Sequence, residues 1–253
     1  MLAPMNDRPV LYVIPGSHPC AAVEEALRRK GFDYERIDLL PLVHVPVALA
    51  RFGGTSVPGL RFGRERICGS RPIMRFLDEL RPEPALLPPV GSEEYVRVLE
   101  LERWGDVGLQ DATRRILDAA ILRAPQYAGS YLAGANLPLP TAVISAITPA
   151  SARLMVLKNH ADEESVRADL AALPAVLDRI DAAIGDGLLG DENPNAADLQ
   201  LGSSLRLLMT LADVRPLIET RPCARLADYF PPPVGGFPAG TLPADWLPAL
   251  ASA

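Results

Sequence analysis

The sequence predicts an α/β domain followed by an all-helical one. Strand-like apolar runs and helical patterns succeed one another up to Leu80 in the order βαβ-α-ββα. A proline-rich connector, Arg81-Pro82-Glu83-Pro84 through Pro88-Pro89, then breaks the pattern. Beyond it the strand signals stop, and apolar residues recur only at helical spacing.

Taken in order, residues 9–15 read as a buried strand and residues 20–30 as a helix, with Ala22, Val23, Ala26 and Leu27 on one apolar face. Gly31 follows Arg28, Arg29 and Lys30 as a natural stop. Tyr34 to Leu39 alternates as a short second strand, which a helical crossover makes parallel to the first. Pro41 to Phe52 reads as a shorter helix that ends at Gly53-Gly54. Arg61-Phe62 and Arg66-Ile67 flank Gly63-Arg64 as a β-hairpin. Ser70 is read as the cap of a helix over Arg71 to Leu80, with Pro72 in its first turn.

In the second half Glu93 to Leu122 is a long amphipathic stretch that Gly105 and Gly108 bend or split. Residues 126–150 are apolar but rich in Gly and Pro, and read as short helices or an ordered loop. Asp162 to Ile184, Asn195 to Asp213 and Cys223 to Tyr229 read as further helices. The tail from Pro231 is an extended strap or a loose end.

Composition narrows the function classes. Apolar residues make up 49% of the 253, enough to bury a sizeable core. With 31 acidic against 25 basic residues the net charge is −6, and the basic residues are scattered. That disfavours nucleic acid and anionic membranes as partners. No apolar run approaches the about 18 residues of a membrane span, and the first residues do not read as a signal peptide. Three irregularly spaced cysteines, Cys20, Cys68 and Cys223, fit neither a disulfide framework nor a zinc site, and point to a cytoplasmic protein. A Gly-rich phosphate loop and a His/carboxylate cluster are both missing, so neither nucleotide nor metal is implied.

Ser17-His18-Pro19-Cys20 lies between the first strand and the first helix. Backbone N–H groups at a helix start favour negative charge, including a thiolate. Ser17-His18-Pro19-Cys20-Ala21-Ala22-Val23, with Arg29 to Glu35 after it, looks like the Ser-x-Pro-Cys segment of theta-type glutathione S-transferases. Thr55-Ser56-Val57-Pro58-Gly59-Leu60 resembles the Val-Pro turn of that family, and Gly69-Ser70-Arg71-Pro72-Ile73 its Glu-Ser-Arg-Ala-Ile. Asn195-Ala196-Ala197-Asp198 matches its Ser/Thr-x-x-Asp capping box. The resemblance covers roughly residues 8–230. It implies a thioredoxin-like, glutathione-binding domain over 8–82, a linker over 83–92, a helical bundle over 93–230 and a tail over 231–253.

The same resemblance implies roles. Ser17 would donate to the thiolate of glutathione as cosubstrate, or merely cap the helix. Cys20 would pack beneath the helix, or form a mixed disulfide with glutathione. His18 is a pocket residue, a donor to a glutathione carboxylate or simply solvated, and His44 either meets the glycine carboxylate or lies on the surface. Val57, before a cis Pro58, would pair with the cysteinyl backbone. Ser70 would bind the γ-glutamyl carboxylate, with Arg71 adding charge or remaining solvated. Trp104, Tyr131 and Trp246 are candidate walls for an apolar electrophile. A homodimer is implied. Gly69 stands where the family has an acidic or amide residue, and Ala21 where theta-like sequences have Arg. These departures open the alternative of a non-catalytic binding protein for an apolar ligand or a protein partner.

Overall fold

The structure, a computed structural model, describes residues 8–137 and 141–248. Four strands, β1 (Val10–Val13), β2 (Glu35–Asp38), β3 (Gly59–Phe62) and β4 (Glu65–Cys68), form one sheet in the order β2-β1-β3-β4. β1 runs parallel to β2, with Val10 opposite Glu35 and Val13 opposite Asp38. β3 is antiparallel to both β1 and β4, and its partner lies across the Gly63-Arg64 turn. The parallel pair requires a crossover, supplied by α1 (His18–Arg29). With α2 (His44–Phe52) and α3 (Ser70–Leu80) this is a thioredoxin-like domain.

β1 ends earlier, and α1 begins earlier, than the sequence pattern predicts. The chain turns at Gly16, whose φ of 78° suits glycine, and helical geometry starts at His18. Ser70 is the first residue of α3 rather than its cap. Gly69 takes the cap position with φ 95° and ψ 147°, a conformation open essentially to glycine alone.

The second part is helical: α4 (Glu93–Trp104), α5 (Gln110–Arg123), α6 (Thr141–Asn159), α7 (Glu163–Gly185) and α8 (Ala196–Leu208). A π-helical turn over Gly105–Leu109 separates α4 from α5, at the two glycines expected to split the stretch. Pro125–Leu132 and Pro222–Tyr229 are 3₁₀ turns, so the helix expected from Cys223 is the tighter form. α6 reaches back over the second half of the segment read as short helices or loop, while 138–140 lie outside the described residues. α8 stops at Leu208, well before Asp213.

α8 is the hub. Asn195 and Asp198 form the expected capping box: Asn195 accepts from the N–H groups of Ala197 and Asp198, and Asp198 accepts from that of Asn195. Such reciprocal capping satisfies donors that a helix start otherwise leaves unpaired. The sheet-side core, including Leu11, Val23, Leu27, Leu60 and Leu77, is completed by Ala196, Leu199 and Phe230 from the helical part. The helical core gathers Val98, Ile116, Leu170, Leu177 and Leu201, and Phe237, Leu242 and Trp246 of the tail are buried in it. Lys30 is buried at the end of α1. Its ammonium meets Asp78 at 2.7 Å and donates to the carbonyls of Arg81 and Pro84, tying α1 to the connector.

Candidate functional site

A cavity of about 500 Å³ lies where the first turn of α1 faces the helical part. That volume is ordinary for a small-molecule site. The floor is Ile14 to Pro19 with Thr55, Ser56 and Val57; α2 contributes His44; α5 and α6 supply Leu117, Ile121, Ile144 and Met155. Tyr131 forms one wall and presses its ring on Gly16, where a Cβ would sit 3.1 Å from ring carbon Cδ1. The Tyr131 hydroxyl is anchored 2.5 Å from Thr210 Oγ1.

Five of the sequence-predicted residues therefore share this cavity: Ser17, His18, His44, Val57 and Tyr131. Ser17 holds the N-cap position of α1, yet its side chain makes no capping hydrogen bond. The hydroxyl lies beside the Cys20 thiol instead, at the positive end of the helix dipole. Among the described residues, the backbone N–H and C=O of Val57 take no hydrogen-bond partner, and the Val57-Pro58 bond is cis.

The others lie elsewhere. Cys20 is buried beneath α1, and burial pushes its thiol up to about 12, although the Ser17 hydroxyl and the Ile14 backbone partly oppose this. A thiol held protonated in this way is a poor nucleophile at neutral pH. Pro58 does not line the cavity. Ser70 is only 4% exposed, and its hydroxyl donates to Gln200 Oε1 at 3.2 Å. Gln200 in turn donates to Asp106 Oδ1 at 3.3 Å. The Arg71 guanidinium pairs with Glu102 on α4, as does that of Arg75. Trp104 and Trp246 are likewise absent from the cavity wall. Trp104 lies under Arg179 and Trp246 under Arg123 in the helical part.

The electrostatics of the cavity come largely from residues that sequence motifs do not mark. Both histidines are 4% exposed and are held neutral at pH 7. Burial, helped by the Arg114 charge, takes His18 well below its ordinary value. Burial and Lys158 take His44 down to about 4. Asp118, on α5, is buried and accepts from Asn159 Nδ2 at 2.7 Å. Burial pushes its carboxyl up to about 6, against the opposing pull of Asn159, Arg114 and Lys158. Its signal in the sequence is a carboxylate set inside the apolar run Ile116 to Leu122. No group of three metal-ligating side chains occurs among the described residues. All three cysteines are free thiols.

The raised Asp118 carboxyl has a stability consequence. A carboxyl that is harder to ionise when folded stabilises the fold most below its unfolded value, near pH 4. That contribution is lost as pH rises through about 6. Asp118→Asn keeps an acceptor for Asn159 and removes the charge. It is expected to be more stable than the parent by about 1–3 kcal/mol at pH 8 and equally stable at pH 4. Urea denaturation at the two pH values checks this, and an equal gain at both would show that ionisation is not the cause.

Residues 11–85 match the family described as glutathione S-transferase, N-terminal domain. Among solved structures, the chain is similar to a glutathione S-transferase from Rhodospirillum rubrum, with 21% identity, TM-score 0.60, and 87% of this chain and 85% of that one covered. It is similar to glutathione transferase F7 from Populus trichocarpa, with 16% identity, TM-score 0.57 and coverage of 87% and 91%. A maleylacetoacetate isomerase from Anaeromyxobacter dehalogenans, with GSH bound in its active site, aligns at 22% identity and TM-score 0.51 over 88% and 90% of the two chains. A comparison with curated proteins finds no match. No helix among the described residues is long and apolar enough to cross a membrane. The chain thus has the glutathione transferase fold, with its match to the glutathione S-transferase N-terminal domain over residues 11–85.

Proposed function

We propose that the protein binds reduced glutathione with its sulfur at Ser17 and conjugates it to an apolar electrophile held against α5 and α6. The observation that carries this reading is the Ser17 hydroxyl, which caps no backbone group at the start of α1 and lines a cavity whose far wall is apolar. A thiol becomes a strong nucleophile only as thiolate, and a hydroxyl donor at a helix N-terminus lowers the cost of that charge. Val57 offers backbone groups to an extended peptide across the cavity floor. His44 is placed to meet a carboxylate of the tripeptide, with Lys158 adding positive charge nearby. The protein would act as a cytoplasmic homodimer.

A second reading has a specific observation in its favour. Ser70 and Arg71, which would receive the γ-glutamyl group, are occupied by Gln200 and Glu102. Under this reading the cavity binds an apolar ligand without glutathione. Calorimetric titration with reduced glutathione separates the two. The first expects a dissociation constant in the millimolar range or tighter, about −4 kcal/mol or better. The second expects no heat from a folded protein.

A further inference from the structure

Asp118 lies on α5 between Leu117 and Ile121 and lines the cavity with both, in the wall against which the electrophile is placed. Asn159 Nδ2 of α6 donates to its Oδ2 at 2.7 Å and fixes the side chain. Oδ1 takes no hydrogen bond among the described residues. Nor is it one of the buried polar atoms sealed off without a partner, which are His18 Nε2, His44 Nδ1 and Thr113 Oγ1. Oδ1 therefore keeps contact with open space, although the residue as a whole is only 7% exposed. A carboxyl so deeply buried, anchored through one oxygen and open through the other, offers the second to a ligand atom.

The anchoring decides what it offers. Oδ2 accepts from Asn159, so the proton of the neutral acid sits on Oδ1. Burial brings the neutral form within reach by taking the group up to about 6. A thiolate at Ser17 would raise it further as a like charge in the same cavity. A general acid works best with a pKa near the working pH. The charged or titratable groups sharing the cavity with Asp118 are Arg114 on α5, Lys158 on α6, His18 on α1, His44 on α2 and Tyr131 in the 3₁₀ turn. From α7, Asp169 is taken by Arg115, and α8 gives the cavity only Leu207.

We propose that Asp118 Oδ1 is the proton donor for an electrophile whose oxygen gains negative charge as the carbon–sulfur bond forms, namely an α,β-unsaturated carbonyl compound. The proposal rests on the glutathione reading above and names its substrate class. The thiolate sulfur bonds to the β-carbon. The π pair of the C=C bond moves through the α-carbon onto the carbonyl oxygen. The Asp118 proton goes to that oxygen, and the enol becomes the ketone in water. Asp118 then takes back from solvent the equivalent of the proton that the thiol released. A halide leaving group carries its charge away and has no use for the acid, which supplies the comparison.

The test compares an addition with a substitution, using reduced glutathione, the full chain, and benzylideneacetone or benzyl chloride as electrophile, with the thioether products measured by chromatography. The readout is the ratio of the two kcat values, addition over substitution. In the parent this ratio is expected to fall by about tenfold per pH unit once pH exceeds the Asp118 ionisation. Asp118→Asn still accepts from Asn159 but has no proton to transfer. It is expected to lower the ratio by about tenfold or more at pH 6 and to remove its pH dependence. A packing or general binding role would slow both reactions alike, so an unchanged ratio in the variant overturns the proposal. A parent ratio that does not depend on pH overturns it as well, independently of the variant. So does a parent that turns over benzyl chloride but not benzylideneacetone. A parent that turns over neither and gives no heat with glutathione instead overturns the reading beneath, and the proposal with it.

Discussion

Ser17→Ala is expected to lower kcat for glutathione conjugation by about 10²–10³-fold, the usual cost of deleting one donor to a developing anion in a water-poor site. Glutathione affinity should change little, because under the proposed reading the tripeptide backbone and carboxylates would meet other residues. The fold should be unaffected, since the Ser17 side chain makes no capping bond to lose. Steady-state kinetics with a small panel of electrophiles, beside a calorimetric glutathione titration, measures both quantities. Turnover equal to that of the parent would remove Ser17 from the chemistry. Loss of turnover together with loss of affinity would instead assign it a general binding role.

The largest effect on stability is expected at Glu102. Its side chain is fully buried on α4 and receives the guanidinium groups of Arg71 and Arg75 from α3. Removing one partner of a buried ionic cluster typically costs about 3–5 kcal/mol, because the remaining charge loses its compensation. The two arginines retain some water, with side chains 28% and 29% exposed, and this reduces the penalty. Glu102→Ala should therefore destabilise the protein by about 2–4 kcal/mol, read as a lower urea midpoint at an unchanged slope. A change below about 0.5 kcal/mol would place the cluster among surface pairs of little value. Because the pair joins the two parts of the chain, its loss should also release Arg71 toward the start of α3.

The thioredoxin-like half was legible because its signals are local. The βαβ crossover, the hairpin at Gly63-Arg64 and the stop at Gly53 each follow from a few adjacent residues. The capping box at Asn195 and Asp198 was equally plain. Ser17, His18, His44 and Val57 came to one cavity because they lie at the ends of those same elements. What escaped was long-range. Ser70 reads as a cap, but its hydroxyl goes to Gln200, 130 residues away. Lys30 reads as a solvated charge at a helix end, yet it is buried and holds the connector by its carbonyls. Asp118, Lys158 and Ser204 shape the cavity through distant packing that no spacing rule encodes. The place of Gly69 at the N-cap of α3 also needed coordinates, since a positive φ leaves no trace in residue spacing.

The polar row along α8 bears on how a ligand arrives. Gln200 links Ser70 at the start of α3 with Asp106 in the π turn, and Ser204, one turn on, holds His18 at the start of α1. Opening the cavity by swinging one part of the chain away from the other would break the links to Ser70 and His18 together. The seam is therefore latched, and a ligand enters a space already formed. Association should then be a single bimolecular step. Its observed rate should grow linearly with ligand concentration, without the plateau that a slow domain closure imposes.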